Sequence, residues 1–133
     1  MKKSKKYTIT CTEEQLRMIA NAVEDWHRFL AGQCELTNAT SMLENYHALC
    51  EVLNMRVRPL VVPKLYGRGA SYCWDGRSCP NVHQRKAIAM SYGIYRQILH
   101  FFATQRPSNS WDVYQSPTLT CEAQGGLIEI KEV

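Results

Sequence analysis

The sequence predicts an α+β domain in which two long helices pack on a small, mostly antiparallel sheet. Two stretches repeat apolar residues every three or four positions, which is typical of amphipathic helices. Short segments near both ends alternate apolar and polar residues, as half-buried strands do. Between the helices lie a short extra helix and a long loop rich in glycine and aromatic residues. A chain of 133 residues fits a single domain, residues 1–133.

The first half of the chain is predicted to contain a strand, a long helix and a weaker helix. The alternation from Tyr7 to Cys11 indicates the strand, and Thr12–Gln15 is a capping box that starts the long helix. Gly32 ends that helix. The weaker helix spans about 41–54, and the residues between two prolines at 59–63 form at most an edge strand. The core stripe of the long helix is expected to be Leu16, Ile19, Val23, Trp26 and Leu30.

The second half is predicted to contain the other long helix and a tail of short strands. The helix runs from about Asn81 to Thr104, begins near Pro80 and is stopped by Pro107. The tail strands are 111–115, 119–121 and 127–133, and the first strand of the chain is expected to pair with them. The core stripe of this helix is predicted to be Ile88, Ser91, Tyr92, Tyr95, Ile98, Leu99 and Phe102.

Charge and hydropathy narrow the class of protein. The net charge is +4, and four lysines lie at the N-terminal tip, at positions 2, 3, 5 and 6, so no DNA-coating surface is expected. No apolar run approaches the roughly 20 residues of a membrane span, and no apolar stretch follows the lysines as in a secretory signal. We therefore expect a cytoplasmic protein without membrane contact, whose six cysteines are reduced.

The loop from Tyr66 to Lys86 is the strongest candidate for a functional segment. Its glycines let backbone N–H groups converge on an anion, and it ends at a helix N-terminus near Asn81, which also favours phosphate. Long irregular loops in compact domains are usually functional, although such a loop can also pack its own rings onto the domain. Cations come from Arg68, Arg77, Arg85 and Lys86, and rings that could stack on a base come from Tyr66, Tyr72 and Trp74.

One face of the second long helix carries small and basic residues in a continuous stripe. Ala89 and Gly93 occupy its middle, with Arg85 at one end and Arg96 and His100 at the other. Because glycine inside a helix costs about 1 kcal/mol relative to alanine, it usually has a packing reason. We expect a helix-on-helix contact between subunits here, with Arg85 and Arg96 reaching a ligand at its edge. The alternative is an ordinary solvent face.

The sequence contains no recognisable catalytic or metal motif. The spacing Cys73-x5-Cys79-x3-His83 fits no common zinc pattern, and the paired His-x-Thr tripeptides of cyclic-phosphate hydrolases are missing. We therefore expect no catalytic residues, no metal and no cofactor, and a protein that is not an enzyme. A reactive Cys–His pair within the loop is the open alternative.

Two segments resemble a known family. They are Tyr7-Thr-Ile-Thr-Cys-Thr-Glu-Glu-Gln-Leu through Trp26-His-Arg-Phe-Leu, and the late helix from Asn81-Val-His-Gln-Arg to Ser91-Tyr-Gly-Ile-Tyr-Arg. With the chain length, they resemble the first family of phage Thoeris anti-defence proteins. The resemblance implies a sponge that sequesters a cyclic ADP-ribose signal, and in some members cyclic oligonucleotides, without cleaving it. It also implies a homo-oligomer, a dimer or hexamer, that acts in the cytoplasm of the infected cell.

The resemblance also implies which residues hold the ligand. The family uses an aromatic residue, an asparagine and arginines on a long helix, which correspond by type to Tyr72 or Trp74, Asn81, Arg85 and Arg96. Arg77 joins this set from the loop chemistry. Two rival functions stay open: a small nucleotide-processing enzyme that uses a Cys/His site in the 66–86 loop, and a phage structural or nucleic-acid-interaction module.

Overall fold

The computed structural model describes residues 4–67 and 69–133, and the regular structure within these ranges is entirely helical. No strand occurs there, so the prediction of an α+β fold with two helices on a sheet is wrong. The helices are α1 (Glu13–Ala31), α2 (Thr37–Thr40), α3 (Tyr46–Val52), α4 (Arg58–Val61) and α5 (Val82–Ala103), with a π-helical turn at Leu53–Val57 and 3₁₀ turns at Val113–Gln115 and Glu122–Gln124.

Helix α1 begins and ends where its local signals predict. The Thr12 hydroxyl accepts from the Gln15 N–H at 3.1 Å, and the Gln15 side chain accepts from the Thr12 N–H at 2.9 Å. Gly32 closes the helix in the left-handed conformation with a φ of 113°. The buried face differs from the predicted stripe, because Ala20, His27 and Ala31 form its centre while Trp26 is 56% exposed. Small residues at this centre let α1 approach α5 closely.

Helix α5 is the central element of the fold. It packs against α1, and its predicted core stripe is confirmed except at Leu99, which is half-buried. The opposite side is buried as well, because the C-terminal segment covers it. Asn81 caps α5 by accepting from the Gln84 N–H at 3.1 Å, so the helix begins just after the predicted Pro80.

The weaker helix, predicted at about 41–54, begins later, at Tyr46, and extends further than its sequence pattern indicates. Helix α3 continues through the π-helical turn into α4, so the prediction of an edge strand at 59–63 is wrong. Pro59 lies in the first turn of α4. Its missing N–H costs little there, since the hydrogen-bond spacing changes from π to α at this point. Pro59 therefore marks a change of helix type in this chain.

The predicted strands at 7–11, 111–115, 119–121 and 127–133 are not strands. The first has no regular structure and is largely exposed. In the tail, side chains of α5 and of the tail itself satisfy backbone carbonyls that a sheet would have paired. His100 Nδ1 donates to the Tyr114 carbonyl at 2.7 Å, and Gln124 Nε2 donates to the Leu119 carbonyl at 3.2 Å. These bonds fix the tail without a β-ladder.

Candidate functional site

The loop that follows α4 is fastened to the end of α1 by backbone and side-chain hydrogen bonds. The Tyr72 N–H donates to the Ala31 carbonyl at 2.9 Å. The Arg58 guanidinium donates to the Gly32 carbonyl at 2.8 Å and to the Ala70 carbonyl at 2.6 Å. One arginine thus joins both sides of the loop base, and the loop enters the site in a fixed conformation.

The Tyr72 ring lies in the hydrophobic core. It is 2% exposed and packs with Val62, Cys79 and Ile88. In this conformation the ring has no free face, so Tyr72 anchors the loop and does not present a stacking surface.

The Trp74 ring belongs to a cluster with His27, Tyr92 and Tyr95, which we call the His27 cluster. The ring centroids of Trp74 and Tyr92 are 5.0 Å apart, and those of His27 and Tyr95 are 5.3 Å apart. Trp74 is half-buried, whereas the other three side chains are buried. Such tilted contacts stabilise a cluster beyond the area it buries. The middle of the loop therefore rests on α1 and α5 through its tryptophan.

His27 on α1 holds the loop backbone through a hydrogen bond. Its Nε2 donates to the Trp74 carbonyl at 3.0 Å, which makes Nδ1 the unprotonated nitrogen. Nδ1 is buried and has no hydrogen-bond partner among the residues of known position. Burial lowers the pKa of His27 below its usual 6.5, and the hydrogen bond to Trp74 acts in the opposite direction. The neutral ring is therefore the form that this packing favours.

The remaining loop residues of the predicted site lie near the start of α5. Arg77 pairs with Asp75 through its Nε at 3.0 Å, and its side chain is 61% exposed. The Arg85 guanidinium donates to the Cys79 carbonyl at 3.0 Å, which ties the end of the loop to α5. Asn81 is exposed and caps the same helix. The structure thus groups Arg77, Asn81 and Arg85 in the segment that joins the loop to α5.

Arg96 lies elsewhere, under the C-terminal segment. It is 8% exposed, and its guanidinium donates to the carbonyls of Val113, Tyr114 and Ser116. It also lies over the Tyr114 ring, 4.9 Å from the centroid. Arg96 therefore holds the tail against α5 by donating hydrogen bonds to backbone oxygens of the tail.

The stripe of small residues on α5 is covered by the chain itself. A Cβ atom at Gly93 would lie 2.9 Å from Nε2 of Gln124, and Ala89 is fully buried. The packing reason for the glycine is thus intramolecular. The stripe does not offer the subunit contact surface that the sequence predicts there.

Sequence reasoning missed a polar centre on α1. The Glu24 carboxylate accepts from Asn38 Nδ2 at 2.8 Å and from the Tyr114 hydroxyl at 3.1 Å, and it pairs with Arg28 at 3.4 Å. Asp25 is buried and accepts from two backbone N–H groups of α2. No local sequence pattern indicates this centre, because most partners of the two acids lie 13 to 90 residues away along the chain. A shallow depression of about 490 Å³ opens beside it, lined by Glu24, Asp25, Arg28, Gln33, Glu35, Thr37, Asn38, Tyr46 and Gly69.

The cysteines and histidine of the loop do not form a metal centre. Cys79 is buried, with its thiol directed to the Asn81 carbonyl, whereas Cys73 and His83 are exposed. Within residues 4–67 and 69–133, no group of three or more His, Cys, Asp or Glu side chains could hold a metal ion. No helix in these ranges is both long and apolar enough to cross a membrane. Two predicted features, Arg68 and the lysines at positions 2 and 3, lie outside the described residues.

Comparison of this chain with protein-family models, with curated proteins and with solved structures found no match.

Proposed function

We propose that the protein binds and sequesters a small anionic nucleotide, of the cyclic ADP-ribose or cyclic oligonucleotide class, without cleaving it. One observation carries the proposal: hydrogen bonds and ring packing fasten the loop from Tyr66 to Lys86 at its base and centre, while Arg77, Asn81 and Lys86 are exposed where α5 begins. A binding surface that is already ordered loses little entropy when a ligand arrives. As a phage sponge, the protein would act in the cytoplasm of the infected cell and block its defence signal.

Arg77 is the residue best placed to contact a phosphate. Asp75 engages its Nε, so both terminal Nη groups keep their donors for an anion. Lys86 is exposed one residue beyond Arg85 and adds a second exposed cation. Asn81 lies at the α5 N-terminus, where backbone N–H groups favour negative charge.

Because Tyr72 and Arg96 are buried, the proposed set of ligand-contacting residues is smaller than the sequence predicts. The stacking partner for a base is the accessible side of Trp74, together with the exposed ring of Tyr66. Tyr72 and Arg96 support the loop and the tail and do not contact the ligand in this arrangement. Their replacement would therefore affect folding before it affected binding.

A retention experiment tests this function. The purified protein is incubated with a panel of cyclic ADP-ribose isomers and cyclic di- and trinucleotides, freed of unbound ligand and heat-denatured, and the released compound is identified by chromatography. We expect one intact nucleotide in stoichiometric amount. Arg77→Ala should reduce retention at least about tenfold, since it removes charge-assisted bonds to phosphate. Lys131→Ala, an equal loss of charge in the exposed tail, should retain ligand like the wild type.

Other results of the retention experiment decide between the rival functions. A converted nucleotide would identify an enzyme, and a Cys73→Ser variant would then show whether the exposed thiol takes part. No retained compound from the panel would reject the sponge proposal and favour an interaction module. Equal loss of ligand in Arg77→Ala and Lys131→Ala would show that the loop is not the site.

A further inference from the structure

Residues Tyr46–Val61 form a helical arm of roughly four turns, made of α3, the π-helical turn and α4. None of its residues is buried. One side contacts the rest of the domain through half-buried residues such as Leu49 and Leu53, and the other side is open. We call this open side, around Glu51, Val52, Met55 and Arg56, the outer face.

The outer face carries apolar side chains that the folded chain does not cover. Val52 is 49% exposed and Met55 is 70% exposed. Isolated helices of this length are marginal in water, and most helical stability in proteins comes from packing an apolar face. Scattered apolar residues on a surface are ordinary, so their exposure alone indicates nothing. The charged residues beside them determine in which orientation a partner helix could bind this face.

Glu51 and Arg56 frame the two apolar residues with opposite charges. Both are exposed, and neither belongs to any ion pair found within the described chain. The order along the helix is acid, apolar, apolar, base, at Glu51, Val52, Met55 and Arg56. Reversing the helix places Val52 opposite Met55 and Glu51 opposite Arg56. The outer face is therefore complementary to itself in an antiparallel arrangement.

We propose that the outer face binds the same face of a second copy of this chain, as an antiparallel helix pair about a two-fold axis. Each contact then occurs twice: Val52 packs against Met55, and Glu51 pairs with Arg56. A parallel pair would bring Glu51 against Glu51 and Arg56 against Arg56, which like-charge repulsion disfavours. The assembly does not require a nucleotide, and the contact is separate from the α5 stripe, which this chain covers itself.

Charge reversal tests the two-fold pairing directly. Glu51→Arg makes two arginines face each other across the axis, and Arg56→Glu does the same with two glutamates. Neither change disturbs an intramolecular ion pair found in the structure, so both variants should fold. The double variant Glu51→Arg/Arg56→Glu restores both attractive pairs in the opposite sense. Sedimentation equilibrium at several protein concentrations measures the dimer dissociation constant, and circular dichroism verifies the fold.

We expect the wild type and the double variant to form dimers, and each single variant to dimerise at least about tenfold more weakly. Mixing the two single variants should restore a dimer that contains one chain of each, because every arginine then faces a glutamate. A Met55→Glu variant, which removes the apolar contact, should be monomeric in any mixture.

Three results overturn the proposal. The first is a wild-type chain that stays monomeric up to about 1 mM. The second is a dimer whose dissociation constant is unchanged by both charge reversals, which would place the contact on another face. The third is failure of the two single variants to associate when mixed while each remains folded, which would exclude the antiparallel geometry.

Discussion

At the scale of single residues, the type of a side chain did not predict its role. Tyr72, Arg77 and Arg96 all fit a nucleotide site by chemistry, but only Arg77 has donors directed to solvent. Tyr72 is a core residue and Arg96 binds carbonyls of the tail. Local sequence gives the donors and rings of a segment, whereas the direction of each side chain depends on partners tens of residues away.

His27 should make the stability of the protein depend on pH. Its pKa is lowered mainly by burial, with Arg28 lowering it further and Glu24 and the Trp74 carbonyl raising it. A histidine with a depressed folded pKa contributes its full stability above the unfolded pKa near 6.5, and this contribution is lost as the pH falls below that value. The free energy of unfolding should therefore decrease as the pH falls below about 6.5, by at most about 1.4 kcal/mol per pH unit for this one group.

Urea unfolding of two variants measures the contribution of His27. His27→Gln can still donate to the Trp74 carbonyl but cannot take up a proton, so its stability should fall less with acidification than that of the wild type. His83→Gln removes an exposed histidine and should follow the wild-type pH dependence. Identical pH dependence in all three proteins would mean that His27 is not the titrating group.

At the scale of elements, the sequence predicted the two long helices because their signals are local. The capping box at Thr12 and the glycine at position 32 lie next to the residues they order. The tail was assigned to strands for an equally local reason, the alternation of its residues. Its carbonyls are instead satisfied by Arg96 and His100 on α5, a pairing that no short window of sequence displays.

Arg96→Ala should release the tail from α5. The change leaves the carbonyls of Val113, Tyr114 and Ser116 without their charged donor, and it removes a buried side chain. We expect a loss of about 2–4 kcal/mol in the free energy of unfolding and early proteolytic cleavage in the tail. Lys64→Ala, at an exposed position, should change the stability by less than about 0.5 kcal/mol. A stable Arg96→Ala protein whose tail stays protected from proteolysis would contradict this role of Arg96.

At the scale of the whole molecule, α5 is enclosed on three sides. Helix α1 covers one side, the C-terminal turns cover another, and the loop covers a third, where Gly76 lies so close that a Cβ atom would come within 3.2 Å of the Arg85 backbone. Two hydrophobic clusters result, one under the loop around Ile88 and one near the end of α5 around Ile98. The candidate site is built over the first cluster, so its shape depends on that core.

The accessibility of the six free cysteines to a thiol reagent tests this packing around α5. Cys73 is exposed, whereas Cys34 and Cys79 are buried, and burial raises the pKa of Cys34 to about 11. Thiol labelling of the native protein should modify Cys73 within the first phase and leave Cys34 and Cys79 unmodified until the chain unfolds. Peptide mass spectrometry at successive times identifies each site. Rapid labelling of Cys79 would show that the loop opens in the native state.

The π-helical turn at Leu53–Val57 joins the two halves of the arm. A π turn holds one residue more than an α turn, so deleting one residue within it would let the helix continue with ordinary α spacing and leave everything beyond it pointing in almost the same direction. Arg58 would still reach the carbonyls of Gly32 and Ala70, to which it donates across the base of the loop. The surplus residue is thus absorbed within the turn, and the loop anchor tolerates its loss.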